Sequence, residues 1–287
     1  MTTGTGGPGP GEPRGDHERP PPLGEDAAWA LLLALRRSPP PSGRWEAPGP
    51  LNPQARELVD LLLPLVLSPR MVIGQMGQSL DGRIATGTGH SHYVTGPEDI
   101  RRLHRVRALV DAVVVGAGTV ASDDPLLTVR KVEGPDPVRV ILDPRGRLSP
   151  THRVFTDGVA SDGAPRTLWV QQGRMGRNGG EAWEGGERLF LPTQGPLGFP
   201  PGEVVALLAD RGLPRVLVEG GGITVSRFLQ AGSLDRLHIT VAPLLIGSGR
   251  PGISLNPIET LDEALRPACR TFALGKDTLF DLDLRAV

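Results

Sequence analysis

The chain has 287 residues, among them 39 glycines and 30 prolines, nearly half of the prolines before Met71; the excess of turn-formers is local, and the residues after Met71 suffice for a full core. With 31 basic and 32 acidic residues and no single-sign block, there is no electrostatic footprint for nucleic acid or an anionic membrane surface. Cys269 is the single cysteine, which excludes an intramolecular disulfide, a multi-thiolate zinc site or an iron–sulfur cluster held by this chain alone. No apolar run matches a bilayer span and residues 1–24 lack the apolar centre of a secretory signal, so a cytoplasmic protein with a small-molecule partner is expected. GxxxxGK[ST], HExxH and GxSxG are all absent.

Residues 1–24 carry too little apolar content to offset the entropy of ordering and read as a tail. Two helical patterns follow, 25–37 with Trp29, Leu32, Leu33 and Leu35, and 52–67 with Leu58, Leu61, Leu62 and Leu65, separated by a Pro-rich connector. They look like an accessory extension. From Met71 short apolar runs alternate with glycines and helical segments, the texture of an α/β sheet with mostly parallel strands. Strands are predicted at 71–75, 112–116, 138–142, 167–171, 188–191, 215–218 and 237–243, and a terminal antiparallel hairpin at 271–274 and 279–284 with Gly275 in its turn. Residues 157–202 read as loop-rich.

After the first strand come Gln78-Ser-Leu-Asp-Gly-Arg83 and His90-Ser91-His92-Tyr93. The two histidines have no third ligand at metal spacing, so no metal is expected. Thr95, Pro97 and Glu98 resemble a capping box and open a predicted helix to about Leu109. Its apolar stripe is Ile100, Leu103, Val106 and Val110, and Arg107 projects onto the same inward face. Such an arginine snorkels, pairs with a carboxylate such as Asp111 or Asp123, or binds an anion.

Two glycine-bearing bends follow strands. Gly116-Ala-Gly-Thr-Val-Ala121 imitates a dinucleotide fingerprint, but Ser122-Asp123-Asp124-Pro125 interrupts the long helix that fingerprint requires. A nucleotide here would sit outside Rossmann geometry, and a plain tight turn would use the same residues. The second bend, Glu219-Gly220-Gly221-Gly222, leads into a helix through Leu229; its amides and the positive helix end suit a diphosphate. Glu219 ends a predicted parallel strand, where such sheets place ligand-contacting groups. Ser91, Arg107 and Arg130 could converge on a phosphate monoester.

The ordered set QSLDGRIAT, SHYVTG, DAVVVGAGTVASDDPLLTVR, VRVILDPRGRL, VLVEGGG and LHITVAPLLIGSG resembles the reductase domain of the bacterial riboflavin-biosynthesis deaminase/reductase family, relatives of dihydrofolate reductase. The resemblance covers residue 70 to the C-terminus and implies a dihydrofolate-reductase-like, mostly parallel α/β sheet flanked by helices, preceded at 1–69 by the tail and helical extension. It implies NADPH as cofactor, a homodimer, and reduction of the ribose of 5-amino-6-(5-phosphoribosylamino)uracil or a close phosphoribosylaminopyrimidine to a ribityl chain. Carried over by motif, cofactor contacts fall on Gly77, Tyr93, Thr119, Asp123, Gly221, Gly222, Ile223, Thr224 and Arg227, and substrate contacts on Ser91, Arg107, Leu127, Arg130 and Glu219. Glu219 and Asp123 are the candidates for handling a proton, and Arg145, Arg147 and Arg227 for meeting a 2′-phosphate. Two departures bear on substrate. Gln75 stands where relatives often carry lysine, and no H-x-E or P-C-x-x-C ligand set precedes residue 70, so a reductase without the deaminase is expected. Reduction of a pterin-like heterocycle, and nucleotide binding without catalysis, stay open as alternatives.

Overall fold

The computed structural model describes residues 1, 21–41, 43–91, 94–156, 166–173, 180–195 and 198–285. Two helices, α1 (Glu25–Arg37) and α2 (Pro53–Leu67), precede β1 (Met71–Ser79) and the short β2 (Arg83–Ala85). Then come α3 (Pro97–Leu109), β3 (Ala112–Gly116), α4 (Ala117–Asp123), β4 (Val138–Leu142), α5 (Arg153–Thr156), β5 (Thr167–Gln172), β6 (Gly180–Trp183) and β7 (Gly186–Leu191). The chain closes with α6 (Pro201–Asp210), β8 (Arg215–Val218), α7 (Gly222–Gln230), β9 (Arg236–Ala242), β10 (Arg250–Pro251), β11 (Ala268–Leu274) and β12 (Asp277–Asp283).

Ten strands form one sheet in the order β11-β12-β9-β1-β8-β3-β4-β5-β7-β6. From β9 to β7 every neighbour is parallel; β11, β12 and β6 are the antiparallel additions. This is the mostly parallel α/β sheet expected, with Gly275 (φ +64°) turning the terminal hairpin. Alternation along each strand divides the core. Val113, Val115, Ile141 and Leu217 point to one face, packed under α1, α2 and α3, whereas Ala112, Val114, Val140, Val216 and Val218 point to the other, under α6 and α7. The N-terminal helices therefore supply part of the main core: Leu32 and Leu62 are fully buried in it.

Local chemistry sets the helix ends. Asn52 caps α2, its side chain accepting from the Ala55 N–H at 2.8 Å. The cap of α3 differs from the expectation: Gly96, not Thr95, holds that position with no side-chain cap, and its N–H donates to Asp277 Oδ2 at 2.6 Å. A carboxylate from β12 thus ties the start of α3 to the hairpin. The loop-rich reading of 157–202 is also corrected, since β6 falls within it and α6 opens at Pro201. The Pro200-Pro201-Gly202 run looks like a loop, yet proline is tolerated at the first helical position, where its missing N–H has no partner to lose. The bulk of the 1–24 tail lies outside the described residues.

Candidate active site

The carboxyl ends of β1, β3 and β8 open onto one cleft of about 770 Å³. At β1 it is lined by Gln75, Met76 and Gly77. A side chain at Gly77 would collide with Thr95, its Cβ falling 2.7 Å from the Thr95 methyl. From α3 come Asp99, Ile100, Leu103 and Arg107. The predicted inward face of that helix is the one that meets the cleft.

The two glycine bends interlock. Thr119, in the short α4, accepts the Gly221 N–H on its Oγ1 at 3.0 Å. Gly220 (φ +93°) leaves the room Thr119 needs, since a Cβ there would lie 2.7 Å from Oγ1. Reciprocally, a Cβ at Gly116 would lie 2.7 Å from Thr224 Oγ1. Each bend has given up a side chain to admit the threonine of the other. The result is a wall of bare backbone at the N-terminus of α7, where N–H groups and the helix dipole favour an anion.

Between the bends and α3 sits a buried ion pair. Arg107 donates to Glu219 through Nη2 at 2.7 Å and Nε at 3.4 Å, and its Nη1 reaches the Thr128 carbonyl at 3.3 Å. Neither carboxylate suggested by the sequence is its partner: Asp111 instead binds Arg36 and the Arg215 N–H. Just before Thr128 the chain holds a rare conformation. Asp124 (φ 39°) and Leu127 (φ 58°) are left-handed without being glycine, at a cost of about 1–3 kcal/mol each. The Asp124 carboxylate is held by the Arg153 N–H at 2.9 Å and His152 at 3.2 Å, and Leu127 is buried against the cleft.

Beneath the cleft wall runs a second polar network. Asp99 accepts from Arg102 Nε at 2.8 Å and Thr240 at 2.7 Å, both on Oδ1. Arg102 Nη1 donates to His238 Nδ1 at 2.9 Å, which places that imidazole's proton on Nε2, 3.3 Å from Asp281 Oδ1. Burial is the main cause that lowers the His238 pKa to about 4. His104 is lowered to about 4 as well, by burial first and then by the charges of Arg107, Arg130 and Lys131; its Nδ1 accepts the Arg130 N–H at 3.0 Å.

Among the residues singled out from sequence, Gly77, Ser91, Arg107, Thr119, Asp123, Leu127, Glu219, Gly221, Gly222, Ile223 and Thr224 line the cleft together. Arg130 and Arg227 do not. Arg130 is exposed with Nη1 on Thr128 Oγ1 at 2.7 Å, and Arg227 turns away to the Phe199 carbonyl at 2.8 Å. Tyr93 lies outside the described residues. Of the arginines considered for a 2′-phosphate, Arg147 is in the lining. Asp99 and Arg250 also line it and are not indicated by the sequence reading. The i, i+4 spacing of Asp99 and Leu103 carried a signal for the first; for Arg250 there was none.

This geometry has relatives. The model of the RibD C-terminal domain family matches residues 70–278. The 2,5-diamino-6-ribosylamino-4(3H)-pyrimidinone 5′-phosphate reductase of Methanothermobacter thermautotrophicus is 33% identical over 225 residues, covering 75% of this chain and 98% of that protein. The riboflavin biosynthesis protein RibD of Bacillus amyloliquefaciens is 35% identical over 202 residues, and there the match covers 69% of this chain but 53% of the relative. A solved Thermotoga maritima diaminohydroxyphosphoribosylaminopyrimidine deaminase/5-amino-6-(5-phosphoribosylamino)uracil reductase superposes with a TM-score of 0.61 at 26% identity, over 80% of this chain and 61% of that one. The chain thus spans nearly all of the archaeal reductase and about half of the RibD protein. The matched residues begin at β1 and take in both glycine bends and the Arg107–Glu219 pair, and by that match this chain belongs to the RibD C-terminal domain family.

Proposed function

We propose that this protein is an NADPH-dependent oxidoreductase of riboflavin biosynthesis, reducing the ribosyl group of 5-amino-6-(5-phosphoribosylamino)uracil, or of the closely related diaminopyrimidinone 5′-phosphate, to a ribityl chain. The observation that carries the reading is the interlock of the two bends, which sets bare backbone amides and a helix N-terminus beside the buried Arg107–Glu219 pair.

The residues fit a nicotinamide dinucleotide. Gly221, Gly222, Ile223 and Thr224 would hold its diphosphate against the start of α7, and Thr119 and Asp123 would flank the nicotinamide; a side chain at Gly116 or Gly220 would push aside Thr224 or Thr119, two of the residues that would line it. When bound, NADPH supplies a hydride to the sugar C1 of the open, imine-like substrate, and one proton balances the resulting amine. The chain's own work is positioning and exclusion of water. Leu103, Ile100 and Leu127 supply the apolar wall. Glu219, fixed by Arg107, orients sugar hydroxyls or delivers the proton, with Asp123 the second candidate carboxylate of the lining. Ser91 contributes a neutral donor toward the substrate phosphate. Preference for NADPH over NADH would draw on Arg147.

We place a homodimer contact on the segment after β9, where Leu244, Leu245, Leu255, Ile258, Leu261 and Leu265 are exposed, and read residues 1–69 as an accessory extension of a reductase domain at 70–287. No helix among the described residues is long and apolar enough to cross a membrane. The test mixes the protein with NADPH and each candidate pyrimidine and follows absorbance of the reduced nicotinamide; absence of turnover with both pyrimidines would overturn the reading.

A further inference from the structure

The charges that line the cleft do not balance as the sequence suggests. Arg107 is neutralised by Glu219 within 2.7 Å, and Arg130 lies outside the lining. Gln75, buried in the wall at β1, carries no charge. Two cations of the lining, Arg147 and Arg250, have no carboxylate partner among the described residues.

The exposed Arg250 side chain rests on a glycine. Its guanidinium lies against the backbone of Gly89, so closely that a Cβ there would fall 2.7 Å from Nη2 and 3.0 Å from Cζ. Gly89 has φ +96°, a conformation an L side chain rarely adopts. The backbone conformation calls for glycine at this position, and the end of the exposed Arg250 side chain occupies the space a Cβ would take. The arginine rides on β10, which pairs with β2 as a two-stranded ribbon apart from the main sheet. That ribbon is pinned by Asp81, whose carboxylate accepts the Ile246 N–H at 3.1 Å, the Gly247 N–H at 2.6 Å and the Ser79 hydroxyl at 2.5 Å. At its other end Gly222 is pressed against the carbonyls of Pro251 and Gly252, so the ribbon abuts the diphosphate-type bend, while Ser91 lies two residues beyond Gly89.

We propose that Arg250, laid on Gly89, is a phosphate-binding residue of this cleft. Its planar fork matches a phosphate group, the ribbon sets where its backbone stands, and the exposed guanidinium, resting on Gly89, is accessible to a ligand. The phosphate belongs either to the nucleotide or to the sugar ester of the substrate, and the inference rests on the reading above for the identity of those ligands.

The experiment is equilibrium titration of the full chain with NADPH alone and with the phosphorylated pyrimidine alone, comparing wild type with Arg250→Gln. Removing a charge-assisted contact should weaken one of the two by about tenfold or more. Weakening confined to NADPH assigns Arg250 to the nucleotide, and weakening confined to the pyrimidine assigns it to the substrate phosphate. Gly89→Ala keeps the charge but dislodges it, and should shift the same ligand in the same direction. Unchanged affinity for both ligands in both variants overturns the proposal, as does a wild type that binds neither. Turnover is measured separately, so a wild type that binds but does not reduce removes the proposed function and leaves the assignment of Arg250 to be decided by the titrations.

Discussion

The hydroxyl of Thr119 accepts the N–H of Gly221 at 3.0 Å, across two strand-to-helix bends that are 102 residues apart in sequence. Neither bend is preorganised alone. Gly220→Ala should therefore act at both: the Cβ meets Thr119 and the φ of +93° becomes strained. A loss of about 1–3 kcal/mol in chemical denaturation is expected, together with a raised KM for NADPH. In the background of Thr119→Ala the steric part should vanish and the conformational part remain, so the double mutant should lose less than the two single losses added. Strict additivity would count against the interlock.

Glu219→Gln leaves the Arg107 charge buried without a counter-charge. Stability should fall by about 1–3 kcal/mol, and kcat by about a hundredfold or more if Glu219 also delivers the proton. Denaturation and steady-state kinetics on one preparation separate the two. A variant that loses stability but keeps kcat would reduce Glu219 to an anchor for Arg107.

Two imidazoles make folding sensitive to acid. His104 and His238 both have pKa values lowered to about 4 from the ordinary 6.5, chiefly by burial. A histidine depressed in the folded state binds its proton more readily when unfolded. The stability it contributes is complete above about pH 6.5 and declines as pH falls toward about 4. Urea midpoints measured across that window should drop with acidity, and His238→Asn should flatten part of the slope. An unchanged slope would show that other groups govern the acid limb.

Leu62, fully buried on α2 among side chains of the main core, tests whether the N-terminal helices fold with the sheet. Leu62→Ala should cost about 2–5 kcal/mol and shift a single cooperative transition. Two separate transitions, with the later one unmoved, would make the helices an independent unit.

Much of the architecture was written in local pattern. Short β-branched runs bounded by turn residues locate β3, β4 and β8 at their observed limits, because strands buried on both faces must be apolar throughout. α1 follows from its leucine spacing. The site was legible wherever a residue type announced a backbone role, as the glycines of both bends do. What escaped depended on tertiary placement. The partner of Arg107 is set by the register of β8 beside β3, 112 residues along the chain, and no periodicity encodes that. Arg250 sits on a strand of two residues, too short to leave a pattern, and its purpose emerges only once Gly89 is found beneath it. Arg130, grouped with the phosphate ligands from sequence, has its backbone N–H on His104 Nδ1, a link no local pattern announces.

The extension before residue 70 has a consequence for the cleft it never touches. Glu25 binds Arg105 at 2.6 Å, the Arg105 guanidinium lies 5.6 Å from the Trp29 ring, and the Trp29 indole donates to the Glu133 carbonyl at 3.1 Å. Arg105 is on α3, the helix that carries Asp99 and Arg107. A chain cut back to the family-matching residues would keep every described group that faces the cleft and lose the packing behind α3, so trimming at the motif boundary should loosen the helix that carries Arg107.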